Sequence, residues 1–175
     1  MEVIEGTADI DDVGAFVETL SAIGDRYGVT VQAFDARYVA DRAHLELAVD
    51  LATRARARGD AIADDFGVEI LLYAAGRRQI NRALTMGVSE GTCPIVAVVV
   101  DSETGNSHVG KDGRASIEAA ADDVFEELTA TSTLGEYDED CVRSFFDVTD
   151  TELAATAGGL PDAVRERVAL LPVEK

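Results

Sequence analysis

Two spacings of apolar residues alternate along this chain, and the switches between them mark out its elements. Residues 2–6 read as a short first strand. After it, Val13, Phe16, Val17, Leu20 and Tyr27 recur at helical spacing, with Asp9, Asp11 and Asp12 available to cap the start and Gly28 to end it. The run Val29-Thr30-Val31-Gln32-Ala33-Phe34 is β-branched and aromatic enough for a second strand. From Asp41 the helical spacing returns, with Leu45, Ala48, Leu51, Ala52 and Ala55 on one face and Gly59 at the close. Residues 66–86 fit a buried strand by composition, but their length favours helix, with Asp64 or Asp65 as the cap. Gly76 interrupts that pattern, which resumes at Ile80, Ala83 and Leu84 and stops at Gly87. Two helical pieces hinged at Gly76 are therefore predicted.

Pro94–Asp101 is a valine-rich run without polar alternation, as expected of a strand buried on both faces. Ser102–Gly113 reads as a loop with three glycines, and Ile117, Ala120, Ala121, Val124, Phe125 and Leu128 predict a further helix. Ser144–Val148 reads as a last strand, followed by short helices over 150–157 and 161–170. Repeats, low-complexity tracts and linkers are lacking. The expected fold is α/β, one domain over residues 1–175, with a small mixed β-sheet of about four strands packed with several α-helices.

Composition narrows the class. Apolar residues make up 47% of the 175, enough for a real core. The longest apolar runs, Ile70–Ala75 and Ile95–Val100, fall far short of the roughly 20 residues of a membrane-spanning helix. The first residues, Met1-Glu2-Val3-Ile4-Glu5, are acidic where a signal peptide is basic, so a cytoplasmic protein with no membrane partner is expected. Cys93 and Cys141 lie far apart with no paired motif, which suits neither a disulfide framework nor a zinc site.

Charge changes the picture most. Asp and Glu number 34 against 15 Lys and Arg, a net charge of -19, and only Lys111 and Lys175 are lysines. Such a surface stays hydrated in molar salt, so a halophilic source is the expectation. The acidity is not uniform, however. Residues 37–82 hold eight arginines against seven acids, while the rest of the chain carries seven basic and 27 acidic residues. One stretch has escaped acidification, as a surface that meets an anion would. The competing explanation is local: Arg54, Arg56 and Arg58 close a helix, where cations offset its negative pole.

Catalytic chemistry finds little support. Only His44 and His108 are histidines; His44 reads as a partly buried or surface residue, and His108 has no second histidine near it for a metal. No Gly-x-Ser-x-Gly elbow is present. The glycine loop at 105–113 departs from a phosphate cradle because Asp112, not Ser or Thr, follows Lys111. Residues 136–140 lack the ligand spacing of a calcium loop. A binding protein, with no cofactor and no metal, is the expectation; a small-molecule enzyme would have to work through Lys111 or His108.

The distinctive stretch is Ile62-Ala63-Asp-Asp-Phe66-Gly-Val-Glu69-Ile70-Leu71-Leu72-Tyr73-Ala-Ala-Gly76-Arg77-Arg78-Gln79-Ile80, preceded by Arg54–Arg58. It resembles the kinase-binding small subunit of the KEOPS complex, the Cgi/TPRKB family of PRPK-binding proteins. The likeness is close over about residues 54–101 and extends as an order of elements over most of the chain. The resemblance implies a non-catalytic role in tRNA threonylcarbamoyladenosine (t6A) modification. Its implied partners are a PRPK-like atypical kinase acting as an ATPase, the catalytic threonylcarbamoyl transferase indirectly, and the single-stranded CCA end of tRNA. The implied tRNA-binding residues are Arg56, Arg58, Arg77, Arg78, Gln79, Ile80 and Arg82. Departures from the family are the long Ser102–Gly113 loop, the extreme acidity, and Pro172 in the tail.

Physical chemistry suits that assignment. An arginine guanidinium can fork onto phosphate and stack on a base. Were Gly76 to open a new helix, the N–H groups of Arg77, Arg78 and Gln79 would face an anion, and Gln79 could read a base edge. The alternative is an adaptor that binds or activates a kinase without contacting RNA.

Overall fold

The two apolar spacings become a sheet covered by helices on both faces. In the structure, a computed structural model that describes residues 1–102 and 110–173, the chain runs β1 (Glu2–Ile10), α1 (Val13–Tyr27), β2 (Val29–Asp35), α2 (Arg42–Arg58), α3 (Phe66–Ala75), α4 (Ile80–Ala83) and β3 (Gly91–Asp101). It continues through α5 (Lys111–Glu126), β4 (Thr129–Ala130), α6 (Glu139–Phe145), α7 (Asp150–Ala155) and α8 (Leu160–Leu170). The strand order is β2-β3-β1-β4, and every pairing is antiparallel, so the expected four-stranded sheet forms without mixed directions.

β3 has no polar alternation because both of its faces are core. Val96, Val98 and Val100 join a cluster with α2, α3 and α8, while Ile95, Ala97 and Val99 join one with α1 and α5. All six are wholly buried, as is Cys93, which is a core residue. Helix ends follow sequence signals. Asp12, Asp41 and Asp65 each accept a hydrogen bond from the backbone N–H three residues on, at 2.8 Å. Part of the chain's acidity is thus helix capping.

Gly76 closes α3 in the left-handed conformation, with φ of 59°. The N–H groups of Gly76 and Arg77 then bond back to the carbonyls of Tyr73 and Leu72, both at 3.0 Å. The predicted hinge is real, but the Arg77 N–H is consumed by this cap, and α4 is a single turn of four residues. The anion-facing pole expected at 77–79 does not form there.

Three further expectations change. α5 begins at Lys111, so Lys111–Gly113 are helical, while the loop residues 103–109, including His108, lie outside the described residues. The fourth strand is the two-residue β4 instead of Ser144–Val148. That apolar run ends α6 and enters a turn at Asp147, with φ of 54°; Phe146 and Val148 are buried because they pack beneath α8 and the core, not because they pair in the sheet.

His44 is wholly buried, where partial exposure was expected. Its Nδ1 accepts from the Ala40 N–H at 3.3 Å and its Nε2 donates to the Ala74 carbonyl at 2.7 Å, tying the start of α2 to the end of α3. Burial lowers its pKa from 6.5 to about 4. The unfolded chain binds this proton below 6.5 and the folded one only near 4. His44 therefore leaves stability intact above pH 6.5 and removes up to ~3 kcal/mol as pH falls towards 4. His44→Gln, which keeps a donor and an acceptor, is expected to lose much less over that window. Denaturant titrations at pH 7 and 4.5 should show the gap between wild type and variant narrowing on acidification; parallel pH profiles would contradict the assignment.

Candidate nucleic-acid interface

Helical geometry sorts the arginines at the end of α2. Successive residues are ~100° apart around a helix, so Arg54 and Arg58 share a face with Leu51 while Arg56 points ~200° away from Arg58. The structure follows this. Arg54 and Arg58 line a groove of about 480 Å³ together with Leu51, Ala55, Asp60, Tyr73, Arg78 and Pro172. Three separated pieces of chain meet here: the last turns of α2, the end of α3 with its following turn, and the tail after α8. Gly76 makes the meeting possible, because its αL cap reverses the chain and its Cα lies where a Cβ would stand 3.4 Å from the Arg167 carbonyl on α8.

The floor of the groove is apolar and aromatic, and its rim is cationic. Tyr73 is buried, and that burial, helped by the nearby Glu69 carboxylate, raises its pKa. Arg54 is engaged by Asp50 at 2.7 Å across one helical turn. Arg58 and Arg78 are both exposed. Among the described lining residues, Arg54, Arg58 and Arg78 outnumber one acid, Asp60. Part of their charge offsets the negative poles where α2 and α3 end.

Glu69 fixes the loop between α2 and α3. Its wholly buried carboxylate accepts from the Ile62 N–H at 3.0 Å and the Ala63 N–H at 2.7 Å. The Ile-Ala step of the sequence is therefore a backbone docking point, and it holds Asp60 on one side and Asp64 on the other.

The residues expected to bind RNA do not all converge. Arg58 and Arg78 do. Arg56 faces the opposite side, its guanidinium 4.9 Å from the centre of the Phe66 ring and bonded to the Asp64 carbonyl at 3.2 Å. Arg77 turns inward: it donates to the Phe145 carbonyl at 2.5 Å and to Asp147 at 3.1 Å, and lies 5.5 Å from the Phe145 ring. It caps the end of α6 and braces the left-handed turn. Gln79, Ile80 and Arg82 are exposed on or beside α4, outside the groove lining. Leu51, Arg54, Tyr73 and Pro172 line the groove but stood outside the expected RNA-binding set. The spacing of 51, 54 and 58 signalled the first two; nothing local signalled that the tail would supply Pro172.

Among the described residues no group of three or more His, Cys, Asp and Glu is placed to hold a metal ion, and no helix is long and apolar enough to cross a membrane. A family model described as kinase binding protein CGI-121 matches residues 9–171. The chain belongs to the CGI-121 family. The match takes in the last two residues of β1, then β2 to β4 and α1 to α8, so the groove falls within it except for Pro172, one residue past its end. CGI-121 proteins are kinase-binding proteins, which makes a kinase this chain's partner. No curated protein matches the chain.

Proposed function

We propose that this CGI-121 protein is the non-catalytic subunit of a KEOPS-type complex in the cytoplasm, which binds the atypical kinase/ATPase and holds the single-stranded CCA end of tRNA during t6A modification. The observation that carries the RNA part is the groove that gathers Arg58 and Arg78 from different elements over Leu51, Tyr73 and Pro172. Single-stranded ends are held by cations on the phosphates and by flat or apolar surfaces against splayed bases. In the high salt to which so acidic a surface is suited, the Debye length is ~3 Å, so long-range attraction fails and only direct contacts remain. A small groove with two or three arginines meets that requirement better than a broad basic face.

Binding of the full chain to tRNA with and without its terminal CCA, at matched salt and with the kinase present, tests the proposal. Affinity that falls about tenfold or more on removal of CCA is expected, since each lost base–aromatic or arginine contact is worth 1–3 kcal/mol. Equal affinity for both tRNAs overturns the RNA reading. A second reading, a kinase adaptor that does not contact RNA, is favoured by one feature: Arg77, central to the motif, is spent on Phe145 and Asp147.

A further inference from the structure

Apart from the arginine groove, a cleft of about 760 Å³ runs along β2. β2 is the end strand of the sheet and pairs only with β3 among the described residues. Its outer edge forms the floor of the cleft through Val29, Thr30, Val31, Gln32 and Ala33. One wall is α1, with Val13, Val17 and Leu20; the other is α3 and the turn after α4, with Phe66, Val68, Leu71 and Leu84. The walls belong to opposite faces of the sheet, so the cleft straddles its edge. Val17 and Leu84 are 49% and 56% exposed, large apolar side chains left open on either side.

Proteins normally blunt such an edge with lysine, proline, a bulge or a covering element. Among the described residues, β2 carries none of these over Val29–Phe34. Among the described residues, the edge is guarded by the Gln32 side-chain amide, which donates to the neighbouring Ala33 carbonyl at 2.9 Å and is removable. We infer that this cleft docks an extended segment of a partner protein that adds a fifth strand to the sheet. Five floor residues at ~3.3 Å each accommodate a segment of about the same length. Alternate side chains of that strand would enter the α1 wall and the α3 wall, as strand addition requires.

Charge identifies the segment as cationic. Among the described residues, Asp25, Asp64 and Asp65 line the cleft against one cation, Arg56, which is already held by Phe66 and the Asp64 carbonyl. RNA is repelled by that rim, and a second copy of a chain with net charge -19 is disfavoured for the same reason. The inference goes beyond the RNA reading and does not rest on it, because the cleft and the arginine groove share no lining residue.

The test is a titration of the ¹⁵N-labelled full chain with a blocked peptide of alternating lysine and valine. Three comparisons go with it: a glutamate–valine peptide, a lysine–valine peptide with alternate valines replaced by proline, and the variants Leu84→Asp and Phe125→Asp. Phe125 is an exposed apolar residue on α5, away from the cleft. Shifts centred on residues 29–33 are expected with the lysine–valine peptide and not with the other two. Leu84→Asp should weaken binding at least about fivefold, as loss of an apolar anchor does, and Phe125→Asp should leave it unchanged. The sign is informative, because each variant adds a negative charge and would strengthen a merely electrostatic attraction. No binding at millimolar peptide, shifts spread over the acidic surface, equal binding of the proline-containing peptide, or unchanged affinity of Leu84→Asp each overturns the inference.

Discussion

Reversing the charge of Arg58 and Arg78 together, as Arg58→Glu with Arg78→Glu, should lower affinity for CCA-ended tRNA about 100-fold, since each charge-assisted hydrogen bond is worth 1.5–3 kcal/mol and reversal adds repulsion. Both side chains are exposed, so the fold should survive, and kinase binding should be unchanged. The salt dependence should change as well. Single-stranded RNA releases ~0.7 counterion per neutralised phosphate, so loss of two contacts flattens the slope of log affinity against log salt by ~1.4. Filter binding or fluorescence anisotropy over a salt series reads both quantities. A variant that binds tRNA as the wild type does would reduce the groove to a structural feature. The same substitution at Arg77 is a poor test, because Arg77 braces Phe145 and Asp147 and its loss damages the fold.

Glu69→Ala should cost about 3 kcal/mol of stability, the sum of two orphaned backbone donors and a buried void. The carboxylate's hydrogen-bond partners are the N–H groups of Ile62 and Ala63. Glu69→Gln keeps one acceptor oxygen and should lose less. Hydrogen exchange at Ile62 and Ala63 should accelerate in Glu69→Ala before global unfolding, because the loop they anchor is released first. A loss below about 1 kcal/mol by denaturant titration would mean that the loop is held by other contacts. Since Asp60 on this loop borders the arginine groove, RNA affinity should fall along with stability.

How far the sequence could carry these conclusions depends on the range of each interaction. Helix caps at Asp12, Asp41 and Asp65 and the closing glycines at 28, 59 and 76 act within a few residues, and all were legible. So was β3, because an unbroken valine run has few other uses. The Ser144–Val148 run misled because burial beneath α8 and burial in a sheet demand the same apolar side chains. His44 read as more exposed than it is, since its partner Ala74 lies on another helix, 30 residues further on. The site divides in the same way. Arg54 and Arg58 on one face and Arg56 on the other follow from helical geometry alone. The inward turn of Arg77 could not be read, because Phe145 and Asp147 reach it only through the tertiary fold.

The central claim is that the groove of Arg58, Arg78 and Tyr73 receives a single-stranded RNA end. The most direct measurement is a titration of the ¹⁵N-labelled chain with a short RNA ending in CCA, followed by its amide shifts. Shifts confined to residues 51–60, 73–78 and the segment around Pro172 are expected with this RNA, and none with an RNA of the same length that lacks the CCA end. Shifts along β2 and α1, or none with either RNA, would contradict it.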